Sequence, residues 1–173
     1  MPVQLNIAAF DPLAWINEYT QPAHQVTPEI FAPILQFSLM WNLFERNCCK
    51  REATQASIEK SVSDAFSGGH LNGQQFQEHL DYFRSRATMG AHTIETYFTA
   101  LVLTNEKAKR IVRGALDGTL TDPNNTVLGL LLIAHRIRNN LFHGNKEVAM
   151  LHSQVELFKA VNSLLATYLT VTR

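Results

Sequence analysis

Along nearly the whole chain, apolar residues recur at steps of three and four, the period of a helix that buries one face. In PILQFSLMWNLFERNCCK the face is Ile34, Phe37, Trp41, Phe44 and Cys48, with Pro33 expected in the first turn, where a missing N–H does no harm. Ile58, Val62 and Phe66 keep helical spacing until Ser67, Gly68 and Gly69 stop it. After Asn72 and Gly73, the residues Phe76, Leu80 and Phe83 define another helix, expected to end at Gly90. TIETYFTALVLT is rich in β-branched and aromatic residues, but strands would lack partners in this chain, so a helix is expected there too. NEKAKRIVRGAL is a short amphipathic helix ending near Gly118.

TDPNN is a strong start signal, with Asp122 as N-cap and Pro123 at the first helical position. From there Leu130, Ile133, Ala134, Ile137 and Leu141 form one apolar stripe that Gly144 closes. Asn145 can cap a last helix, in which Val148, Leu151, Val155, Phe158, Val161, Leu165 and Tyr168 repeat at three and four. The first residues hold Pro2, Pro12, Pro22 and Pro28 and read as a broken arm, with one short helix over DPLAWINEY that Asp11 caps and Pro12 opens. The expected fold class is all-α: an antiparallel helical bundle with short additional helices, made of an arm over 1–27 and a helical domain over 28–173. Short links between long amphipathic helices carry that expectation.

Composition narrows the function classes. A chain of 173 residues suits one domain and can bury a core without staples. No apolar run is long and clean enough to span a bilayer, and no charged-then-apolar leader opens the chain, so a cytoplasmic protein without a membrane partner is expected. Its two cysteines, Cys48 and Cys49, are neighbours; adjacent cysteines rarely meet disulfide geometry, and their spacing fits no zinc pattern. Lysine plus arginine equals aspartate plus glutamate, so the chain is not a generic polyanion binder. A nucleic-acid partner would need a local patch or an assembled cleft.

The candidate chemistry lies in LLIAHRIRNNLFHGNK, where an apolar helix suddenly carries two arginines, two adjacent asparagines and a histidine before glycine. In a continuous helix Arg138 and His143, five apart, differ by about 140° of rotation and about 7.5 Å of rise, so they share no face. Asn139 and His143, four apart, do. Either the helix unwinds at His143, or a second copy supplies the missing half across a two-fold axis. The residue types suit cleavage of RNA by its own 2′-hydroxyl. That reaction needs a proton acceptor near neutral pH, which histidine provides, and fixed positive charge beside the phosphate oxygens, which arginine supplies as a planar fork. An amide such as Asn139 can orient the phosphate or the imidazole. The chemistry requires no metal or other cofactor. The seven histidines, His24, His70, His79, His92, His135, His143 and His152, form no His-x3-His pair, and carboxylates do not cluster.

The string RIRNNLFHGNK resembles the signature of HEPN domains, the higher-eukaryote-and-prokaryote nucleotide-binding superfamily: arginine, four to six residues, then histidine, often with a polar residue right after the arginine. Arg138, Asn139 and His143 match that pattern. FSLMWNLFER is similar to the aromatic early helix of bacterial members, and the likeness covers most of the chain from Pro28 onward. It implies a HEPN-type helical bundle, a homodimer with a composite site, and a metal-independent endoribonuclease acting as a toxin or as a phage-defence or stress effector. RNA rather than DNA would be the substrate, and a protein antitoxin or regulator a further partner. The alternative it implies is a non-catalytic module that binds RNA, a nucleotide or a protein. Toxins that pair with nucleotidyltransferase antitoxins tend to carry tyrosine two residues after the histidine; here Asn145 stands there, so tyrosine modification is not expected.

Supporting candidates surround this run. Glu45, at the edge of the Phe37–Trp41–Phe44 stripe, either meets Arg138 or Arg136 and steadies a guanidinium, or lies on the surface with its stem over Trp41. His135 shares a ridge with Asn139 and His143, and either lines the same cleft or packs at an interface. Arg136 is either a phosphate contact or a solvated side chain, Lys146 is a candidate RNA contact, and Asn140 either supports the site's hydrogen bonds or faces water. Lys107, Lys109, Arg110 and Arg113 form a basic run that reads either as an RNA-backbone contact or as a solvated face. Trp15 and Tyr19 in the arm either clamp a partner subunit or cover the chain's own bundle.

Overall fold

The computed structural model describes residues 10–22, 24–88, 101, 103, 105–142 and 148–173, without the side chains of 148–150, and every regular element among them is helical. The α-helices are α1 (Pro12–Thr20), α2 (Pro28–Cys48), α3 (Gln55–Ser67), α4 (Gln77–Thr88), α5 (Glu106–Asp117), α6 (Pro123–Phe142) and α7 (Val155–Val171). A turn of 3₁₀ helix over Gly73–Phe76 leads into α4, and a longer one over Val148–Gln154 leads into α7. Among the described residues no helix is long and apolar enough to cross a membrane.

Local chemistry sets most boundaries. Asp11 accepts from the backbone N–H groups of Leu13 and Ala14, and Asp122 accepts from that of Asn125, so both predicted aspartate–proline starts are realised. Thr54 and Ser57 form a reciprocal capping box at the start of α3, and Asn105 caps α5. Gly118 closes α5 at φ +80°, a left-handed conformation that only glycine adopts without steric cost.

Two expected boundaries move. Helix α2 starts at Pro28, so Pro33 lies in the second turn instead of the first. Pro28 already takes the opening position that tolerates a missing N–H. The Pro33 carbonyl accepts a hydrogen bond from Asn162 Nδ2 on α7, at 2.9 Å. Likewise, the last α-helix begins at Val155, because Val148–Gln154 is 3₁₀. The predicted helix over 93–104 is outside the described residues except for Leu101 and Leu103, neither of them helical. Gly90, Gly144 and Asn145, given stop and cap roles above, are outside them as well.

Helix α2 packs most extensively on α7, α5 on α6, and α3 on α6. The five-residue link after Asp117 turns the chain back, so α5 and α6 form the expected antiparallel pair. They approach closely at Gly129, where an added Cβ would lie 2.9 Å from that of Ala115. The pair α2 and α7 departs from the antiparallel expectation. Phe44 meets Tyr168, Cys48 meets Thr172, and Phe37 meets Phe158 farther back, so both helices advance in the same direction. Four helices separate them in sequence, and no short link constrains their relative sense. Phe37, Phe44, Phe76, Phe158 and Tyr168 are fully buried where they meet, and the Tyr168 hydroxyl is paired with Ser61 Oγ at 2.7 Å. Both cysteines are free thiols: Cys49 is buried and Cys48 half-buried.

Candidate functional site

Helix α6 enters the bundle buried on every side. From Thr126 to Ala134 no residue reaches solvent appreciably, which suits an element packed against both α3 and α5. Beyond Ala134 only Ile137 and Asn140 remain buried, and the polar groups singled out by the sequence emerge along the helix flank.

Three of them join in a chain. Arg138 Nη1 donates to Asn139 Oδ1 at 3.3 Å, and Asn139 Nδ2 lies 3.3 Å from His135 Nε2, one helical turn back. The His135 ring lies on the Trp41 indole, with centroids 5.8 Å apart and planes 15° from parallel. Trp41 is itself almost wholly buried on α2, so the imidazole rests on a fixed platform. The Arg138 guanidinium carbon sits 5.2 Å from the centre of the Phe142 ring, a cation–π contact one turn ahead, while Arg138 Nε is buried with no partner among the described residues. The fork is thus held by Asn139 and by the Phe142 ring.

Burial first, then the charges of Arg138 and Arg136, hold His135 below the usual imidazole range; Glu45 opposes them. His135 is therefore neutral near pH 7. Glu45 reaches it only as a nearby charge. The carboxylate forms no ion pair with Arg136 or Arg138 among the described residues, so of its two expected roles the guanidinium contact is not seen there. It instead lines a hollow of about 340 Å³ with Asn42, Arg46 and Arg51. A helical wheel places a residue at the edge of a stripe but does not fix the distance between two helices.

Arg136 donates through Nε to the Leu101 carbonyl at 2.6 Å, so one edge of its fork fastens a neighbouring backbone segment. Asn140 does not face water: it is 7% exposed, and its Oδ1 is buried without a partner among the described residues. His143 and Lys146 lie outside the described residues. In the basic run on α5, Lys107 pairs with Glu59 and Lys109 with Glu106, so these two lysines are engaged in surface ion pairs. Trp15 stacks on Tyr19 at 4.8 Å within α1, and Trp15 remains 40% exposed. No three His, Cys, Asp or Glu side chains gather closely enough to hold a metal ion among the described residues. Sequence reasoning missed the platform under His135 and the Phe142 contact. The second was legible as an i,i+4 pair; the first joins residues 94 positions apart and leaves no local signal.

No family model matches the chain, and neither the curated proteins nor the solved structures include a match to it.

Proposed function

We propose that this chain is a metal-independent endoribonuclease of HEPN type, with Arg138, Asn139 and His143 as its working groups. The observation that carries the reading is the restrained Arg138 fork at the last turn of α6, five residues before His143. In this reading His143 takes the proton from the ribose 2′-hydroxyl or protonates the leaving oxygen. The 2′-oxygen attacks phosphorus, the bond to the 5′-oxygen breaks, and the products carry a 2′,3′-cyclic phosphate and a 5′-hydroxyl. Arg138 stabilises charge on the crowded phosphorane, and Asn139 orients it. A toxin or phage-defence role belongs to the same proposal, as does a protein antitoxin or regulator.

The reading includes a homodimer in which a second copy completes the site. Its support is a ridge of exposed leucines on the outer face of α2, Leu35, Leu39 and Leu43, together with Phe142, 55% exposed beside Arg138. Leu39→Glu is expected to lower the mass in sedimentation equilibrium and to weaken cutting together. The decisive assay incubates purified protein with RNA in chelator beside His143→Ala and Arg138→Ala. Each substitution is expected to slow cutting at least about a hundredfold. Cutting that survives both removes the site assignment.

A second reading, a non-catalytic module binding RNA, a nucleotide or a protein through the same surface, draws on the half-burial of Arg138 and its engagement with Asn139. It predicts calorimetric binding without turnover.

A further inference from the structure

Asn139 has two chemically different ends, and the structure fixes which end faces which neighbour. Arginine can only donate, so the Asn139 oxygen must face Arg138. The amide nitrogen must then face His135, and a donor there requires a lone pair on Nε2. A permanently charged fork therefore dictates both the amide orientation and the imidazole tautomer two links away, with the His135 proton on Nδ1. We infer that His135 is a positioning residue for Arg138, a lock that works through Asn139 and opens when the imidazole takes up a second proton.

The inference rests on the ribonuclease reading for what Arg138 does, but the lock itself rests on hydrogen-bond geometry. A protonated Nε2 would confront the Asn139 N–H₂ group. Flipping the amide to satisfy the imidazolium would turn N–H₂ onto the guanidinium instead. Neither orientation satisfies both neighbours, so one of the two bonds is lost and Arg138 loses a restraint. The Trp41 platform prevents an easy escape, because the ring is stacked and cannot swing away without breaking that contact. The charged groups facing His135 are Arg136 and Arg138 from its own helix and Glu45 from α2. Burial chiefly keeps the ring neutral, the two arginines add to it, and Glu45 opposes them without completing an ion pair. His135 is thus a poor general base in this arrangement, since its one free lone pair is already engaged, and a suitable hinge pin for the group beside it.

The test has two arms. Imidazole ¹⁵N spectra of the intact protein are expected to show His135 with Nε2 unprotonated and Nδ1 protonated at pH 7, titrating below the usual imidazole value. Asn139→Ala should shift the Nε2 resonance. In the second arm RNA cutting is followed from pH 5 to pH 8 for the wild type, His135→Phe and His135→Gln. Phenylalanine keeps a ring on Trp41 but cannot accept, so kcat is expected to fall about tenfold with KM little changed. Glutamine can accept from Asn139 through a group that does not titrate, so activity should be rescued and should persist to lower pH than in the wild type. Melting curves of both variants separate folding loss from loss of the lock. A His135 Nε2 that carries the proton at pH 7, or a His135→Gln profile that superimposes on the wild-type acid limb, overturns the inference. Should the wild type cut no RNA, the ribonuclease reading fails, while the lock is still decided by the nitrogen spectra.

Discussion

The two halves of α6 have the same backbone and opposite surroundings. Thr126–Ala134 is buried all round, and its neighbours are apolar side chains from α3 and α5. The half from His135 to Phe142 buries Ile137 and Asn140, links His135, Asn139 and Arg138 to one another, and sends Arg136 to the Leu101 carbonyl. The first half is held by packing, which tolerates no change of volume. The second is held by directional bonds, which tolerate changes of volume but not of donor and acceptor. One continuous helix therefore delivers a cationic fork at a defined height above a rigid core. That arrangement suits a site better than a loop would, because the supporting half cannot shift independently.

The contrast can be broken from either side. The largest effect on stability is expected from Leu131→Ala in the packed half, about 2–5 kcal/mol in urea unfolding, with cutting per folded molecule unchanged. Gly129→Ala should come next, at about 1–3 kcal/mol, since its Cβ meets that of Ala115 at 2.9 Å and the α5–α6 pair must spread. Asp122→Ala removes the cap of the packed half and should cost about 1 kcal/mol by the same measurement. Arg138→Ala in the polar half should change stability by less than about 1 kcal/mol while removing function, and a loss comparable with that of Leu131→Ala would erase the distinction drawn here.

Acid should weaken the bundle through two histidines. Burial is the largest cause that lowers His79, which lies 3.1 Å from Ser163, as it is for His135. In the unfolded chain both titrate near 6.5. Between the lowered native values and that pH the unfolded chain binds more protons, so stability rises with pH there. The contribution is complete above about pH 6.5 and is lost as pH falls through the native values. Melting temperatures measured at pH 7.5, 6.5 and 5.5 should fall in that order, and His79→Phe should flatten part of the decline.

What the sequence made legible was local. Both aspartate–proline starts, the helical spacing of Ile58, Val62 and Phe66 with its stop after Ser67, and the glycine stop at 118 could be read because each is decided within a few residues. The start of α2 was misjudged because two prolines compete for one opening turn; the helix opens at the first, Pro28, although Thr27 before it makes no side-chain cap bond. The 3₁₀ stretch before α7 escaped because Val148 and Leu151 are three apart, a spacing common to both helix types. The parallel course of α2 and α7, the Trp41 platform and the gap between Glu45 and the arginines all join residues distant in sequence. No periodicity encodes them. The polar run on α6 was found because its composition conflicts with its own apolar stripe, a conflict visible without any tertiary knowledge.

The neighbouring thiols have a practical consequence. Burial, the largest cause in each case, pushes Cys49 up to about 12 and raises Cys48 above the ordinary thiol value. The thiolate is the reactive form, so at neutral pH neither sulfur has much of it. A maleimide dye should therefore pass both by, and one new cysteine on the exposed surface of α1 could be labelled selectively in the otherwise unaltered chain. Distances between copies could then be followed by energy transfer without first stripping the native sulfurs.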